Sequence, residues 1–321
     1  MKLAAQAPGA IAQAVAQLRA GALVALPTET VYGLAADALN DAAVARIYAA
    51  KGRPADHPLI VHLASSAQVR DYAAAVPDFA QRLMDAFWPG PLTLILPRRP
   101  EVAAAAAGGQ ASIGLRCPSH PVAQAVLQAF GHGLAAPSAN RFGRVSPTTA
   151  AHVQDEFGPQ LLVLDGGPCE VGIESTIIDC TRGAPVLLRP GQITPAQIEA
   201  ACGQALASGL SQAAPRASGT LESHYAPNAR LGLMSGSSLQ ARLQQVRPGT
   251  LIGLWSRQAP AQPVTELIWR EQPADPAAAA QQLFAVLREL DAHGVQAIWV
   301  EQPPHGPAWD GVRDRLQRAA A

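Results

Sequence analysis

The densest group of chemistry-bearing side chains lies at positions 26–34, which read L-P-T-E-T-V-Y-G-L. The hydroxyl and carboxylate groups of Thr28, Glu29 and Thr30 can hold a polar ligand. The stretch follows an apolar run, residues 22–26, that is typical of a buried strand, and it precedes a helical pattern. Polar turns at strand ends are where α/β folds usually bind ligands. The same residues also make a well-formed loop, so this stretch alone leaves site and turn equally open.

A second group places two cations, Lys51 and Arg53, around Gly52 at the end of a helix predicted over residues 42–50, with Asp41 as its cap. Cations and glycine are common at helix C-termini, where they oppose the helix dipole and cap the last turn. The alternative is a phosphate or pyrophosphate clamp, in which lysine acts as a point charge and arginine as a two-pronged donor.

Two histidines and a strand arginine extend the polar set. His57 and His62 flank a strand predicted at residues 59–63, and a histidine beside an apolar strand is more often structural than a ligand. Ser112 and Arg116 lie on one predicted strand at even spacing, so their side chains face the same side. A charged residue there lies either on a solvated face or in a polar cavity.

Three further polar turns each adjoin a predicted strand. Their small hydroxyl, amide and guanidinium groups can bond phosphate or ribose, although caps and turns use the same residue types. The turns are Ser138-Ala139-Asn140 followed by Ser146, Glu174-Ser175-Thr176, and Arg189-Pro190-Gly191. The sequence has no P-loop, no GxGxxG after the first strand, no GxSxG elbow and no zinc-site spacing. A nucleotide site here would therefore be built from scattered cations and hydroxyls.

Strand and helix patterns that alternate along the chain must position these groups. Between residues 204 and 223 the chain is rich in Ala, Ser, Gly and Pro, which is typical of a linker. Beyond it, alternating β and α patterns predict a small α/β domain with a largely parallel sheet. We predict a first domain over residues 1–203, a linker over 204–229, and a smaller, Rossmann-like α/β domain over 230–321.

Composition excludes several classes of protein. The 321 residues include 24 Lys plus Arg and 24 Asp plus Glu, so no global basic field favours nonspecific nucleic-acid binding. Hydrophobic residues make up 49% of the chain, which is ample for a folded core. The four cysteines form no CxxC pair, and no apolar stretch approaches the ~18 residues of a membrane span. We therefore expect a soluble, cytoplasmic protein.

Five motifs occur together in one order, and together they resemble the threonylcarbamoyl-AMP synthases of the YrdC/TsaC type in their long, two-domain form. The motifs are P-T-E-T-V-Y-G-L at 27–34, K-G-R-P with H-P-L-I-V-H at 51–62, P-S-A-N with S-P-T at 137–148, E-S-T-I at 174–177 and L-R-P-G at 188–191. The resemblance is strong over residues 10–201 and continues through S-H-Y-A-P at 223–227. It implies a twisted mixed α/β sheet with a concave, YrdC-like cavity, followed by a smaller α/β domain.

The resemblance implies a nucleotidyltransferase. L-threonine, bicarbonate (or CO2) and ATP with Mg²⁺ would give threonylcarbamoyl-AMP and pyrophosphate, for the threonylcarbamoyladenosine beside the anticodon of tRNAs. The product would pass to the tRNA threonylcarbamoyl transferase complex, tRNA or double-stranded RNA would be a further partner, and no membrane would be involved. The carbamate of threonine attacks the α-phosphate of ATP without a protein nucleophile, so positioning and electrostatics should dominate catalysis.

The resemblance also assigns residues. The threonine ligands would be Thr30, His62, Arg116 and Thr176, with Arg116 pairing the carboxylate. The ATP ligands would be Lys51, Arg53, His57, Ser112, Ser138, Asn140, Ser146 and Arg189, joined by His224 and Tyr225 from a linker that folds over the cavity as a lid. Lys51 and Arg53 would position the substrates, and neither a catalytic nucleophile nor a protein metal site is expected. The chain departs from the family at His57, where asparagine is common, and at Ser218-Gly219-Thr220-Leu221, where Ser-Pro-Gly-Met is usual.

Two other functions stay open at this point. One is a binding module for double-stranded RNA or tRNA, which a local basic face would serve despite the zero net charge. The other is a carbamoyltransferase that uses carbamoyl phosphate, because related domains occur in such enzymes. Those enzymes carry additional domains that this sequence does not show.

Overall fold

The computed structural model describes residues 1–207, 215–217, 219, 224–261, 264 and 266–321. The chain forms two compact units: the first comprises Met1–Phe142 and Ser146–Thr220, and the second comprises Gly143–Val145 and Leu221–Ala321. Much of the predicted linker, including most of its Ser-Gly-Thr-Leu start, lies outside the described residues. The boundaries at 1–203, 204–229 and 230–321 therefore stay a prediction.

The first unit is built on one mixed sheet. Its strands are β1 (Lys2–Ala4), β2 (Val24–Leu26), β3 (Gly33–Asp37), β4 (Ile60–His62), β5 (Leu92–Pro97), β6 (Ser112–Arg116), β7 (Leu134–Ala135), β8 (Leu162–Asp165), β9 (Thr176–Asp179) and β10 (Val186–Arg189). Their order is β1-β8-β2-β3-β7-β4-β6-β5-β9-β10. The sheet contains parallel pairs such as β4–β6 and antiparallel pairs such as β5–β6. The predicted mixed α/β fold is confirmed.

Helices cover both faces of this sheet. They are α1 (Ala10–Arg19), α2 (Asp41–Lys51), α3 (Val69–Tyr72), α4 (Asp78–Phe87), α5 (Pro121–Phe130), α6 (Ala150–Phe157) and α7 (Pro195–Cys202). Thr194 caps α7 as predicted and forms a capping box with Gln197. The predicted cap of α2 is wrong by one residue. Asn40 has the extended backbone of a cap and accepts the N–H of Ala43, whereas Asp41 is already helical, where its charge favours the helix dipole.

The segment after the polar turn is a strand, where the sequence pattern predicted a helix. β3 pairs antiparallel with β2, with Leu26 opposite Gly33, and its other edge pairs with β7. A short run of small apolar residues fits a helix and a buried strand equally well, so pairing on both edges decides the outcome. The turn at residues 27–32 is therefore the tip of a hairpin at the centre of the sheet.

The two faces of the sheet pack in separate apolar layers. Val24 and Leu26 point into a cluster with Leu18 of α1 and Phe130 of α5, whereas Ala25 points into a larger cluster with α2 and α4. This alternation follows from the two-residue period of a strand. Each fully buried large apolar side chain stabilises the fold by roughly 1.5–3 kcal/mol. The strand ends that carry the polar residues are thus anchored in a well-packed core.

The second unit is a smaller α/β body with strands β11 (Arg230–Met234), β12 (Ile252–Ser256), β13 (Leu267–Glu271) and β14 (Ala297–Glu301) and helices α8 (Gly236–Leu243), α9 (Pro276–Ala292) and α10 (Asp310–Ala320). Its strands lie in the order β11-β14-β12-β13, and every pair is parallel, as the alternating pattern predicted. Across the described part of the chain, no helix combines the length and the apolar character that crossing a bilayer needs.

Candidate functional site

The turn between β2 and β3 is ordered by its two threonines. The Thr28 hydroxyl accepts the backbone N–H groups of Thr30 and Val31, at 3.2 and 3.3 Å, and donates to the Val31 carbonyl at 2.6 Å. Because its single proton is used there, Thr30 is the donor in the 2.9 Å contact between the two threonine hydroxyls. Both side chains are buried. The Thr30 hydroxyl is thereby held with its lone pairs available to accept.

Arg116, the last residue of β6, links this turn to the start of β5. Its Nη1 donates to the Thr30 hydroxyl at 2.8 Å, and its Nε donates to the Gly90 carbonyl at 3.3 Å. Its Nη2 lies 2.8 Å from Oε1 of Glu29, and the two side chains are 4% and 5% exposed. Two predicted threonine ligands are therefore in direct contact. Glu29 was not predicted as a ligand, although its place between two threonines was the available signal.

His62 and Thr176 lie on either side of Arg116 across the sheet. His62 ends β4 and is the register partner of Arg116, and Thr176 begins β9 beside β5, whose Thr93 is the other partner of Arg116. Burial, and then the charge of Arg116, lowers the pKa of His62 well below its ordinary value, so its ring is neutral at pH 7. The Thr176 hydroxyl exchanges hydrogen bonds of 3.2 Å with the backbone of Ile193. The four predicted threonine ligands thus fall on neighbouring elements, and all are buried.

Lys51, the last residue of α2, braces the loop that follows β7. Its Nζ donates to the backbone carbonyls of Ser138 and Asn140 at 2.5 Å each, and the side chain is buried. Burial, followed by repulsion from Arg53, lowers the pKa of Lys51 well below its ordinary value. Gly52 caps the helix in the left-handed conformation, with φ 63°. The cationic turn is therefore a helix cap that also holds a loop bearing two predicted ATP ligands.

Arg53 and His57 meet at an aromatic ring that the sequence reasoning missed. The Nη2 of Arg53 donates to the Pro58 carbonyl at 2.7 Å. The guanidinium carbon of Arg53 lies 5.8 Å from the centre of the Phe142 ring, and His57 meets the same ring edge-on at 5.5 Å. Burial, and then the charge of Arg53, lowers the pKa of His57. An aromatic face among cations suits a nucleotide base, and no spacing in the sequence marks this contact.

Buried hydrogen bonds fix the remaining turns of the first unit. Ser146 Oγ donates to Oε1 of Glu174 at 2.5 Å. Arg189 donates from Nε and Nη2 to the Ser175 carbonyl at 3.1 and 3.0 Å, and the Ser175 hydroxyl contacts that of Thr93 at 2.7 Å. Because Glu174 and Ser175 are consecutive, one short segment before β9 holds two predicted ATP ligands, Ser146 and Arg189.

Ser112 lies at the other end of β6 from Arg116, roughly 13 Å away for four residues along a strand. It lines a small cleft together with Gln110, Ile177 and Arg216. The backbone N–H of Arg216 donates to the Gln110 side chain at 2.9 Å. A described piece of the predicted linker therefore lies against this cleft within the first unit.

His224 and Tyr225 belong to the second unit. Tyr225 is buried with φ 64°, and its ring meets the ring of His224 edge-on at 4.2 Å. The Arg315 guanidinium lies 5.5 Å from the centre of the Tyr225 ring, and Phe284 packs against it at 5.4 Å. A left-handed tyrosine costs on the order of 1 kcal/mol, which this packing offsets. The predicted contact of these two residues with a nucleotide stays a prediction.

The first unit thus gathers buried cations, an imidazole and several hydroxyls at strand ends. Such groups bind carboxylates and phosphates through charge-assisted hydrogen bonds. In the described ranges, no group of three or more His, Cys, Asp or Glu side chains could hold a metal ion. Fold and site together define an α/β protein with a buried polar site whose groups suit small anionic ligands.

Comparison with known proteins identifies the family. The profile of the Sua5, YciO and YrdC family, described as Telomere recombination, matches residues 16–191. The profile described as Threonylcarbamoyl-AMP synthase, C-terminal domain, matches residues 193–321. The chain belongs to the threonylcarbamoyl-AMP synthase family, and the predicted family is confirmed.

Three relatives show how much of the chain is shared. A threonylcarbamoyl-AMP synthase of Bacillus subtilis is 40% identical and covers 97% of this chain and 92% of its own length. The crystal structure of P. abyssi Sua5 complexed with L-threonine is 37% identical, has a TM-score of 0.86, and covers 97% of this chain and 94% of its own. A shorter relative from Mycobacterium tuberculosis is 38% identical over 62% of this chain and 91% of its own length.

Proposed function

We propose that the protein is an L-threonylcarbamoyladenylate synthase, a nucleotidyltransferase that converts L-threonine, bicarbonate (or CO2) and ATP into threonylcarbamoyl-AMP and pyrophosphate. The observation that carries this proposal is the buried contact of Arg116 with Thr30, next to the neutral ring of His62. A related protein, 37% identical, was crystallised with L-threonine. An arginine pairs with the carboxylate of an amino acid, and hydroxyl and imidazole groups suit its side-chain hydroxyl.

In this proposal L-threonine binds to Thr30, His62, Arg116 and Thr176. The Arg116 guanidinium has five N–H donors, and its hydrogen bonds to Thr30 and Gly90 use two of them. Its Nη2 is paired with Glu29 without a hydrogen bond, so donors remain that can bind the threonine carboxylate. The neutral His62 ring can share a hydrogen bond with the threonine hydroxyl without adding a charge to the buried site.

ATP, which brings Mg²⁺ as part of the substrate, binds on the side of the cationic turn. Lys51 and Arg53 position it, and the carbamate oxygen attacks the α-phosphorus while pyrophosphate leaves. Fixed cations and backbone donors stabilise the negative charge that develops at phosphorus, and alignment of the two substrates supplies the rest of the rate. The further ligands are His57, Ser112, Ser138, Asn140, Ser146, Arg189, His224 and Tyr225.

The proposed product carries an activated threonylcarbamoyl group for tRNA modification in the cytoplasm, and it passes to the tRNA threonylcarbamoyl transferase complex. We assign residues 1–203 to catalysis, 204–229 to a lid and 230–321 to a domain that supports the lid. Arg216, which lines the Ser112 cleft, supports the assignment of the linker as a cover for the nucleotide side.

Pyrophosphate release from ATP in bicarbonate buffer tests the proposal. We expect L-threonine to stimulate release, and serine or glycine to do so at least ~10-fold less. Each group that these amino acids lack costs about 1–3 kcal/mol of transition-state binding. Equal stimulation by the three amino acids, or none by threonine, would refute it. Steeply salt-dependent RNA binding without ATP affinity would point to the binding module instead, and activity with carbamoyl phosphate to the carbamoyltransferase.

A further inference from the structure

Glu29 is a buried carboxylate to which the proposed binding of threonine and ATP gives no role. Glu29 is 4% exposed, and neither of its carboxylate oxygens makes a hydrogen bond to any described residue. The contact with Arg116 Nη2 has the 2.8 Å length of an ion pair but lacks hydrogen-bond alignment. The Glu29 carbonyl accepts the Val171 N–H at 2.7 Å, which fixes the backbone. A buried charge with open lone pairs is costly unless a ligand completes it.

The charges of Glu29 and Arg116 are opposite to those of the two charged groups of an amino acid. A zwitterionic amino acid presents a carboxylate and an ammonium group on one carbon atom. Arg116 offers N–H donors for the carboxylate, and Glu29 offers acceptors for the ammonium within the same buried pair. Thr30, whose hydroxyl Arg116 contacts, is the next residue along the chain from Glu29. The pair is therefore complementary to both charged groups of such a ligand.

The proposed reaction needs a proton acceptor at this place. Only a free amine attacks the carbon of bicarbonate, and an α-ammonium group is largely protonated near neutral pH. We propose that Glu29 binds the α-ammonium group of threonine and takes one proton from it, an inference that rests on the proposed function. The free amine then forms the N–C bond with bicarbonate. One C–O bond breaks, and the departing hydroxide leaves as water with a second amine proton, so that the carbamate anion remains.

Three titratable side chains sense the charge of Glu29: Cys117, Cys169 and His120. Burial raises the pKa of the Cys117 and Cys169 thiols, and the Glu29 charge raises both further, so both stay neutral. Burial lowers the pKa of His120, against a hydrogen bond to Gly166 and the charges of Glu29 and Glu170. Arg116 is the cation in contact with Glu29.

Calorimetry with two ligands tests the ammonium contact. The probes are L-threonine and 3-hydroxybutyrate, which is threonine without its amino group. We expect the wild type to bind threonine ~10-fold or more tightly than 3-hydroxybutyrate, because a hydrogen bond to a charged group is worth about that factor. Glu29→Gln should remove most of this preference. Equal binding of both probes by the wild type would overturn the proposal, and this measurement needs no variant to fold.

The pH dependence of turnover tests the proton transfer. We expect Glu29→Gln to lower threonine-dependent pyrophosphate release about 100-fold near neutral pH and to regain rate as rising pH supplies free amine from solution. A role for Glu29 only in holding Arg116 would weaken both probes equally and leave the shape of the pH profile unchanged, and that result would overturn the proposal. Wild-type turnover in Glu29→Gln would overturn it as well.

A matched control separates this role from loss of a buried carboxylate as such. Asp179 is fully buried and ion-paired to Arg182 at 2.7 Å, and it is not among the proposed ligands. We expect Asp179→Asn to lower stability while the preference for threonine over 3-hydroxybutyrate stays intact. If the wild type itself releases no threonine-dependent pyrophosphate, the proposed function fails, whereas an active wild type with an equally active Glu29→Gln variant removes only the role of Glu29.

Discussion

Acidification should destabilise the first unit through His62, and substitution of this residue should remove that share of the effect. Burial and Arg116 hold the pKa of His62 well below its ordinary value of about 6.5. The unfolded chain therefore binds a proton near that pH when the folded chain does not, and stability falls as pH falls. The unfolded state gains about 1.4 kcal/mol from this proton at about pH 5.5 and about 0.1 kcal/mol at about pH 7.5. His62 thus contributes a loss of about 1.3 kcal/mol across that window.

Amide hydrogen exchange in β4 and β6, followed by mass spectrometry, measures this change in the first unit itself. Between the two pH values, and after correction for intrinsic exchange, the wild type should lose about ninefold more protection than His62→Gln. His57 and His120, whose pKa values burial also lowers, remain in both proteins, so the difference isolates His62. His293→Gln, at an exposed position of the second unit, is the control and should match the wild type. Equal pH slopes in the wild type and His62→Gln would show that the folded protein protonates His62 normally.

Three substitutions test other parts of the site. Lys51→Met removes two charge-assisted hydrogen bonds, so the free energy of unfolding in urea should fall by about 2–4 kcal/mol. Turnover should also be lost, and a variant with wild-type turnover would contradict the role of the cationic turn. Thr30→Val removes the hydroxyl that accepts from Arg116 Nη1 and should weaken threonine binding ~10-fold or more in calorimetry. Thr30→Ser keeps the hydroxyl and should bind threonine as the wild type does. Equal loss in both variants would show that Thr30 acts through packing and not through its hydroxyl. Gly191→Ala places a methyl group 2.5 Å from the Thr176 nitrogen and 2.7 Å from its hydroxyl, so it should displace Thr176 and weaken threonine binding in calorimetry. Unchanged threonine affinity would show that Thr176 is not a threonine ligand.

Local patterns predicted most elements of the fold because each depends on near neighbours in the chain. The spacing of apolar residues placed α4 and α5, and Thr194 before Pro195 marked the start of α7. β3 was missed because its small apolar residues become a strand only through pairing with β2 and β7. β1 was missed for the same reason, since it is an edge strand fixed by β8. Partners distant in sequence decide such elements.

The candidate site shows the same division. Motifs drew attention to Thr30, Arg116 and Lys51, but their spacing could not show that Arg116 contacts Thr30 from 86 residues away. Phe142 escaped notice because an isolated aromatic residue after a loop carries no periodic signal. The sequence left the lysine turn open between a helix cap and a phosphate clamp. The structure shows Gly52 as the cap of α2 and the Lys51 ammonium donating to two backbone carbonyls. Motifs therefore predicted the residue types of the site, and tertiary contacts determine what each side chain touches.

The second unit is assembled from two separate stretches of chain, and this has a consequence for any fragment that lacks it. Residues Gly143–Val145 belong to this unit, where the Ala226 N–H donates to the Gly143 carbonyl at 2.9 Å and Arg288 donates to the Val145 carbonyl. The polypeptide therefore leaves the first unit after Phe142 and returns at Ser146. A fragment that ends before the second unit would leave the Gly143 and Val145 carbonyls without these two donors, so water would have to bond them instead.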